Sequence, residues 1–158
     1  DLAARWEQAV YSNASSSQRV MTLRLAPVCH TNGGIIKKLT IPFKFGLGGP
    51  IANGKQAFPW VSLRDVVTAI EFLIQQKALY GPINLISPDS ITQKEFAQQL
   101  GHHLRRPAIF PMPKFIVKIL FGEMGQTLLL QGTRALPKKI TDAGFTFNDT
   151  TLSTALVD

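Results

Sequence analysis

An α/β fold with parallel strands is predicted by three features of the 158-residue sequence. Stretches that alternate in strand fashion are separated by stretches whose apolar residues recur at helical spacing, the pattern of strands joined by helical crossovers. Two capping signals, Ser62-x-x-Asp65 and Thr92-x-x-Glu95, place helix starts directly after extended segments. Apolar residues make up 45% and charged residues 17% of the chain, a balance that fits a buried core and excludes a disordered chain.

Residues 2–10 read as the end of a helix, with Leu2, Trp6 and Ala9-Val10 on one face. A polar loop follows over 12–17, and 19–25 (RVMTLRL) alternates as a strand leading into Ala26-Pro27-Val28. Gly33-Gly34 breaks the chain before a helix over 35–45, which Pro42 shortens or kinks. Residues 57–61 form a short extended segment, and the helix 63–76 starts at Ser62, with Val66, Ala69-Ile70 and Leu73 as its buried stripe. Residues 83–86 give an apolar strand, and Thr92 starts a helix through Phe96, Leu100 and Leu104. Residues 108–112 are extended, Pro113 opens a helix with Phe115-Ile116 and Ile119-Leu120 inward, and Gly122-Glu123-Met124-Gly125 interrupts it before Leu128-Leu129-Leu130. Pro137 takes a first helical position with Gly144 as the stop, Phe145-Thr146-Phe147 is a short strand, and 151–157 a terminal helix. Only 19–25 and 83–86 are convincing sheet strands, which is thin for an independent doubly wound domain.

The chain is organised around 43–65. Gly46, Gly48, Gly49 and Gly54 permit backbone conformations and close approaches that a side chain forbids, and Lys44, Lys55 and Gln56 place donors beside that bare backbone. A phosphate or a sugar is the ligand such a loop can hold; an irregular surface loop is the plain alternative. Trp60 is expected in the core, where its ring contributes more than on the surface.

The net charge of +7 is spread in ones and twos without a recognisable nucleic-acid motif, so a polynucleotide partner is not expected and anionic small molecules account for the sign. Cys29 is the only cysteine, and it is expected to be a small buried or semi-buried residue rather than a nucleophile, in a reducing, cytoplasmic protein with no metal site. His102 and His103 are adjacent, hence about 100° apart on a helix, and favour its negative end rather than holding a metal. No apolar run approaches the ~20 residues that cross a bilayer, so no membrane partner is expected.

Taken in order, the stretches FKFGLGGP (43–50), Gly54-Lys55-Gln56, WVSLRD (60–65) and GPINL (81–85) resemble the second half of the NAD(P)-dependent epimerase/dehydratase-like extended short-chain dehydrogenases/reductases. These are also known as nucleoside-diphosphate-sugar epimerases, and some are labelled cell-division inhibitors. Arg106-Pro107, Gly122-Glu123-Met124, Leu128-Leu129-Leu130, Pro137-Lys138-Lys139 and Gly144-Phe145-Thr146-Phe147 resemble that family's C-terminal domain.

The resemblance implies the C-terminal part of a Rossmann-like doubly wound sheet over 1–86, with a substrate-side loop over 43–62, and a small, mostly helical domain over 87–158. It implies NAD or NADP in a full-length parent, with Ala26, Pro27, Val28 and Cys29 beside the cofactor. It also implies a nucleotide-sugar or similar anionic substrate near Lys37, Lys38, Lys44, Gly48, Gly49, Lys55 and Gln56. The glycine-rich cofactor fingerprint and the Tyr-x-x-x-Lys pair are absent, since Tyr11 is followed by Ser15 and Tyr80 by Asn84. Ser62 and Pro59 depart from the family's histidine and serine. No catalytic residue is therefore assigned, and the chain alone is expected to be inactive and to bind no cofactor unaided. Its expected partner is a missing N-terminal half or a second copy of itself. A non-catalytic nucleotide-binding, regulatory or interaction module is the alternative.

Overall fold

The computed structural model describes residues 2–113, 115–119, 122, 132 and 134–157. The chain runs α1 (Leu2–Ser12), β1 (Met21–Leu25), β2 (Val28–His30), α2 (Gly34–Lys44), β3 (Ala57–Phe58), β4 (Val61–Ser62), α3 (Leu63–Gln75), β5 (Gly81–Leu85), β6 (Ile91–Thr92) and α4 (Gln93–His103), followed by short helices Lys138–Asp142 and Leu152–Ala155. Residues 115–119 are helical. Glu123 to Gly125 and Leu128 to Leu130, two stretches read from the sequence, lie outside the described residues, as does Leu120.

The two strands legible in the sequence pair with each other. β1 and β5 are parallel from Met21↔Gly81 to Leu25↔Leu85, and β2 and β4 are parallel through Val28↔Val61 and Cys29↔Ser62. β3 and β6 form a short antiparallel pair. β1 and β2 are one extended line that changes partner at Ala26-Pro27. The Ala26 amide donates to the Leu85 carbonyl at 3.1 Å, whereas the Pro27 carbonyl accepts from Val61 at 3.2 Å. Proline has no N–H to continue the first ladder, so the sheet divides at this point.

Two hydrophobic clusters flank the division. One gathers Leu39 and Phe43 of α2, Trp60, Phe96 and Leu100 of α4, Met112 and Leu152. Within it Phe58 stacks on Phe96 with ring centroids 3.8 Å apart. The other gathers Val66, Ala69 and Leu73 of α3 with Ile83 and Leu85 of β5, Ile140, Phe145 and Phe147. Trp60 is fully buried, as expected.

Four local readings are corrected. Phe115 and Ile119, expected to face inward, are 64% and 77% exposed, and the 115–119 helix buries Val117 instead. Ile70 is 40% exposed and leaves the α3 stripe to Val66, Ala69 and Leu73. Among the described residues, 145–147 pair with no strand; Phe145 instead tilts against Phe72 of α3 at 5.4 Å and meets Phe147 edge-on at 5.0 Å. Pro137 is the N-cap of its helix rather than the first helical residue.

Long-range polar contacts tie the elements together. The Arg19 guanidinium donates to the carbonyls of Leu73, Ile74, Gln76 and Leu79 at 3.0–3.2 Å. It thereby satisfies the last turn of α3, whose carbonyls have no partner within the helix. Lys139 reaches the Tyr80 and Pro82 carbonyls beside β5. At α4 the capping box is complete: Thr92 Oγ1 accepts from the Glu95 amide at 3.2 Å and Glu95 Oε2 accepts from the Thr92 amide at 2.6 Å.

Candidate functional site

The division of the sheet opens a cleft of about 390 Å³ at the carboxyl ends of β1 and β5, lined by Arg24, Leu25, Ala26, Pro27, Pro59, Asn84, Ile86 and Ala135. In open α/β sheets this is where ligands enter, because neighbouring strands part there and leave backbone and strand ends accessible. The small side chains of Ala26 and Pro27 leave the wall flat. Arg24 and Asn84 are direct partners across the parallel ladder, so one cation and one amide sit side by side at the cleft. Arg24 is gripped by Glu7 of α1, Nε to Oε1 at 2.7 Å and an η nitrogen to Oε2 at 2.6 Å. That bond holds the Glu7 carboxyl below the usual carboxylate range and raises the Arg24 guanidinium further.

A second, smaller cavity of about 210 Å³ lies beside β2 and the start of α3, lined by Cys29, His30, Ser62, Leu63, Arg64, Val67 and Ala155. Ser62 Oγ is spent on its helix cap, accepting from the Asp65 amide at 3.0 Å. Burial pushes the Cys29 thiol up to about 12. The thiolate is the reactive form, so Cys29 in the folded chain is expected to resist a thiol-exchange reagent at pH 8 and to react at once in denaturant. Rapid native-state labelling in a colorimetric thiol assay would show that the site opens. His102 and His103 lie in the last turn of α4 and line a third cavity with Asp89 and Glu95. Among the described residues no group of three or more His, Cys, Asp or Glu is placed to hold a metal ion, and no helix is long and apolar enough to cross a membrane.

The residues expected at the site are distributed as follows. Ala26 and Pro27 line the cleft; Val28 is half-buried against the second cluster, and Cys29 lines the smaller cavity. Lys37, Lys38 and Lys44 are exposed on α2, and Lys55 is exposed in the loop before β3. Gln56 is half-buried and donates through Nε2 to the Ile51 carbonyl at 3.1 Å. Gly48 and Gly49 are buried, and a Cβ on either would fall within 2.2 Å of the Phe43 ring or 2.0 Å of the Phe110 carbonyl oxygen. Arg24, Leu25, Asn84, Ile86 and Ala135 were not named as site residues from the sequence, and Pro59 was named only as a departure from the family pattern. The sequence offered only their place within the two stretches read as strands, 19–25 and 83–86; that Arg24 and Asn84 stand opposite each other is seen only in the folded sheet.

Residues 112–158 match a domain of unknown function, DUF1731. The mouse epimerase family protein SDR39U1 is 35% identical over 159 aligned positions, which cover 100% of this chain and 54% of that protein. This chain matches half of an epimerase-family protein. A crystal structure of the human epimerase family protein SDR39U1, solved with NADPH, superposes on this chain with a TM-score of 0.86 at 31% identity, covering 98% of this chain and 52% of that one. A UDP-glucose 4-epimerase from Thermotoga maritima, solved with UDP-glucose, superposes with a TM-score of 0.67 at 16% identity over 96% of this chain and 48% of its own, a likeness of fold alone. The segment thus spans about half the length of the relatives it matches, and its mixed α/β architecture with parallel strand pairs matches part of a short-chain dehydrogenase/reductase epimerase structure.

Proposed function

We propose that this segment is the substrate-side half of an NAD(P)-dependent epimerase or reductase acting on a nucleotide-sugar or a similar small anionic molecule. The observation that carries the reading is the cleft where the parallel sheet divides at Ala26-Pro27, in a chain that superposes closely on a relative solved with NADPH. On this reading β1, β5 and the elements around them are the C-terminal part of a Rossmann-like sheet, and 87–158 pack onto it as the family's C-terminal layer. Each hydrophobic cluster draws on both stretches.

The cleft's flat wall at Ala26 and Pro27 fits one face of a planar ring, with the Arg24–Glu7 ion pair at its edge. A nicotinamide cofactor, when bound, supplies hydride transfer; this segment's own residues orient it and close one side of its site. Lys44 and Lys55 would face the substrate, and Gly48 and Gly49, packed against Phe43 and Phe110, would hold the turn between them. Among the described residues β1 pairs only with β5, and α1 buries none of its residues and leaves Leu2, Trp6 and Val10 exposed. That edge and that face suit a complementary half of the same protein or a second copy of this chain.

The test is expression of the segment in frame with whatever its gene encodes upstream. The longer protein is expected to bind NADPH, and Ala26→Trp, which fills the cleft, is expected to weaken that binding by at least about tenfold, as steric exclusion from a well-fitted pocket does. NADPH binding indifferent to Ala26→Trp, or an upstream frame without a glycine-rich strand–turn–helix, would overturn the assignment.

A further inference from the structure

The surface formed by α2, the glycine-rich turn and residues 108–113 and 115–119 has a chemistry that a nucleotide-sugar does not call for. The two stretches are stitched together: the Met112 amide donates to the Pro50 carbonyl at 2.9 Å, Ile51 bridges Met112, and Gly49 packs against the Phe110 carbonyl. Beneath them Leu39 and Phe43 share a buried cluster with Met112 and Val117. Above them Phe45 is 78% exposed, Phe110 69% and Phe115 64%, with Ile109 and Ile119 also open to solvent. An exposed aromatic and aliphatic patch of this kind marks an interaction surface rather than ordinary surface scatter.

The stretches that supply this surface are of one sign in the sequence. No acidic residue stands between Glu7 and Asp65, nor between Glu95 and Glu123, whereas Lys37, Lys38, Lys44, Arg105, Arg106 and Lys118 fall in those stretches. We infer that this face takes a small amphiphile, with an anionic head held by the α2 lysines and an apolar tail laid over Phe45, Phe110 and Phe115. Charge complementarity selects the head, and the removal of tail and rings from water supplies the affinity. The inference deepens the proposed function, on which it rests: the anionic substrate of the substrate-side surface carries an apolar portion. A bare sugar nucleotide would leave the three rings in water.

Isothermal titration of the chain with dodecyl phosphate, below its micelle concentration, tests this. Dodecyl phosphate is expected to bind, with inorganic phosphate and dodecyltrimethylammonium giving no measurable heat. The Phe45→Ser/Phe110→Ser variant and, separately, Lys44→Ala are expected to weaken binding about tenfold or more, the loss that follows from one uncovered ring. Trp6→Ser, on the exposed face of α1, is expected to change nothing, and an unaltered melting curve shows that each variant folds. Binding of the cationic detergent as tightly, or indifference to the phenylalanine variant, overturns the inference. Retention of the chain on anionic-lipid vesicles, abolished by the same variant, also overturns it by assigning the face to a membrane surface. UDP-glucose binding that depends on Lys44 but not on the phenylalanines would overturn the amphiphile while leaving the nucleotide-sugar reading standing.

Discussion

Asp65→Ala lowers the free energy of unfolding by about 4 kcal/mol, because charge-assisted hydrogen bonds contribute roughly 1.5–3 kcal/mol each and their stranded donors add to the loss. Asp65 is completely buried at the third position of α3. Its carboxylate accepts from the Asn148 amide at 2.7 Å, from Asn148 Nδ2 at 3.0 Å and from the Asp149 amide at 3.1 Å. A carboxylate at a helix N-terminus is favoured by the helix dipole, which offsets part of its desolvation. Alanine leaves two backbone amides of the 148–149 turn without an acceptor and frees the segment that carries Phe145 and Phe147 against α3. For a chain of this length the midpoint of thermal unfolding falls by roughly 10 °C. Asp65→Asn, which keeps the volume and one acceptor oxygen, is expected to lose about half as much. A melting curve for Asp65→Ala within a degree of the parent would mean that the clamp contributes nothing.

Gly49→Ala is expected to cost about 3 kcal/mol, at the upper end of overpacking penalties. The added carbon would lie 2.0 Å from the Phe110 carbonyl oxygen and 2.9 Å from its carbon. Both are main-chain atoms, so no rotamer change relieves the clash, and the turn must separate from 108–112 and break the Met112–Pro50 hydrogen bond. Gly46→Ala is the control: nothing lies within 4 Å of its added carbon, but φ is +72°. That substitution should cost only the strain of a left-handed residue, about 1 kcal/mol. Urea titrations of the two variants separate the mechanisms, and equal midpoints would show that conformation rather than contact governs Gly49.

Much of this was legible because it is local. The Thr92–Glu95 capping box forms as its spacing dictates, and the alternation over 19–25 gives the strand that pairs with 81–85. The failures share a cause. Ser62-x-x-Asp65 has the same spacing, and Ser62 does cap the helix, but the Asp65 side chain turns to acceptor work 83–84 residues along the chain. A four-residue pattern carries no trace of so distant a partner. Phe145-Thr146-Phe147 alternates like a strand because both rings go to one side, yet what they meet is Phe72 and each other rather than a ladder. At the site, Ala26 and Pro27 were reached through the family pattern. Arg24 and Asn84 were missed because each belongs to a strand whose pairing register only the folded sheet displays.

The Arg19 clasp on the end of α3 has a consequence for how the chain is made. Arg19 and its Leu79 acceptor are 60 positions apart, and β1 finds its partner strand just beyond that acceptor. Parallel pairing over such a separation is kinetically slow, since a long loop must close before any contact rewards it. At synthesis rates of about 5–20 residues per second, β1 leaves the ribosome several seconds before β5 exists to receive it. For that interval the edge of β1 that takes β5 has no strand to pair with. The yield of folded protein should therefore depend on the speed of translation through 26–85 and on chaperones that cover an unpaired strand.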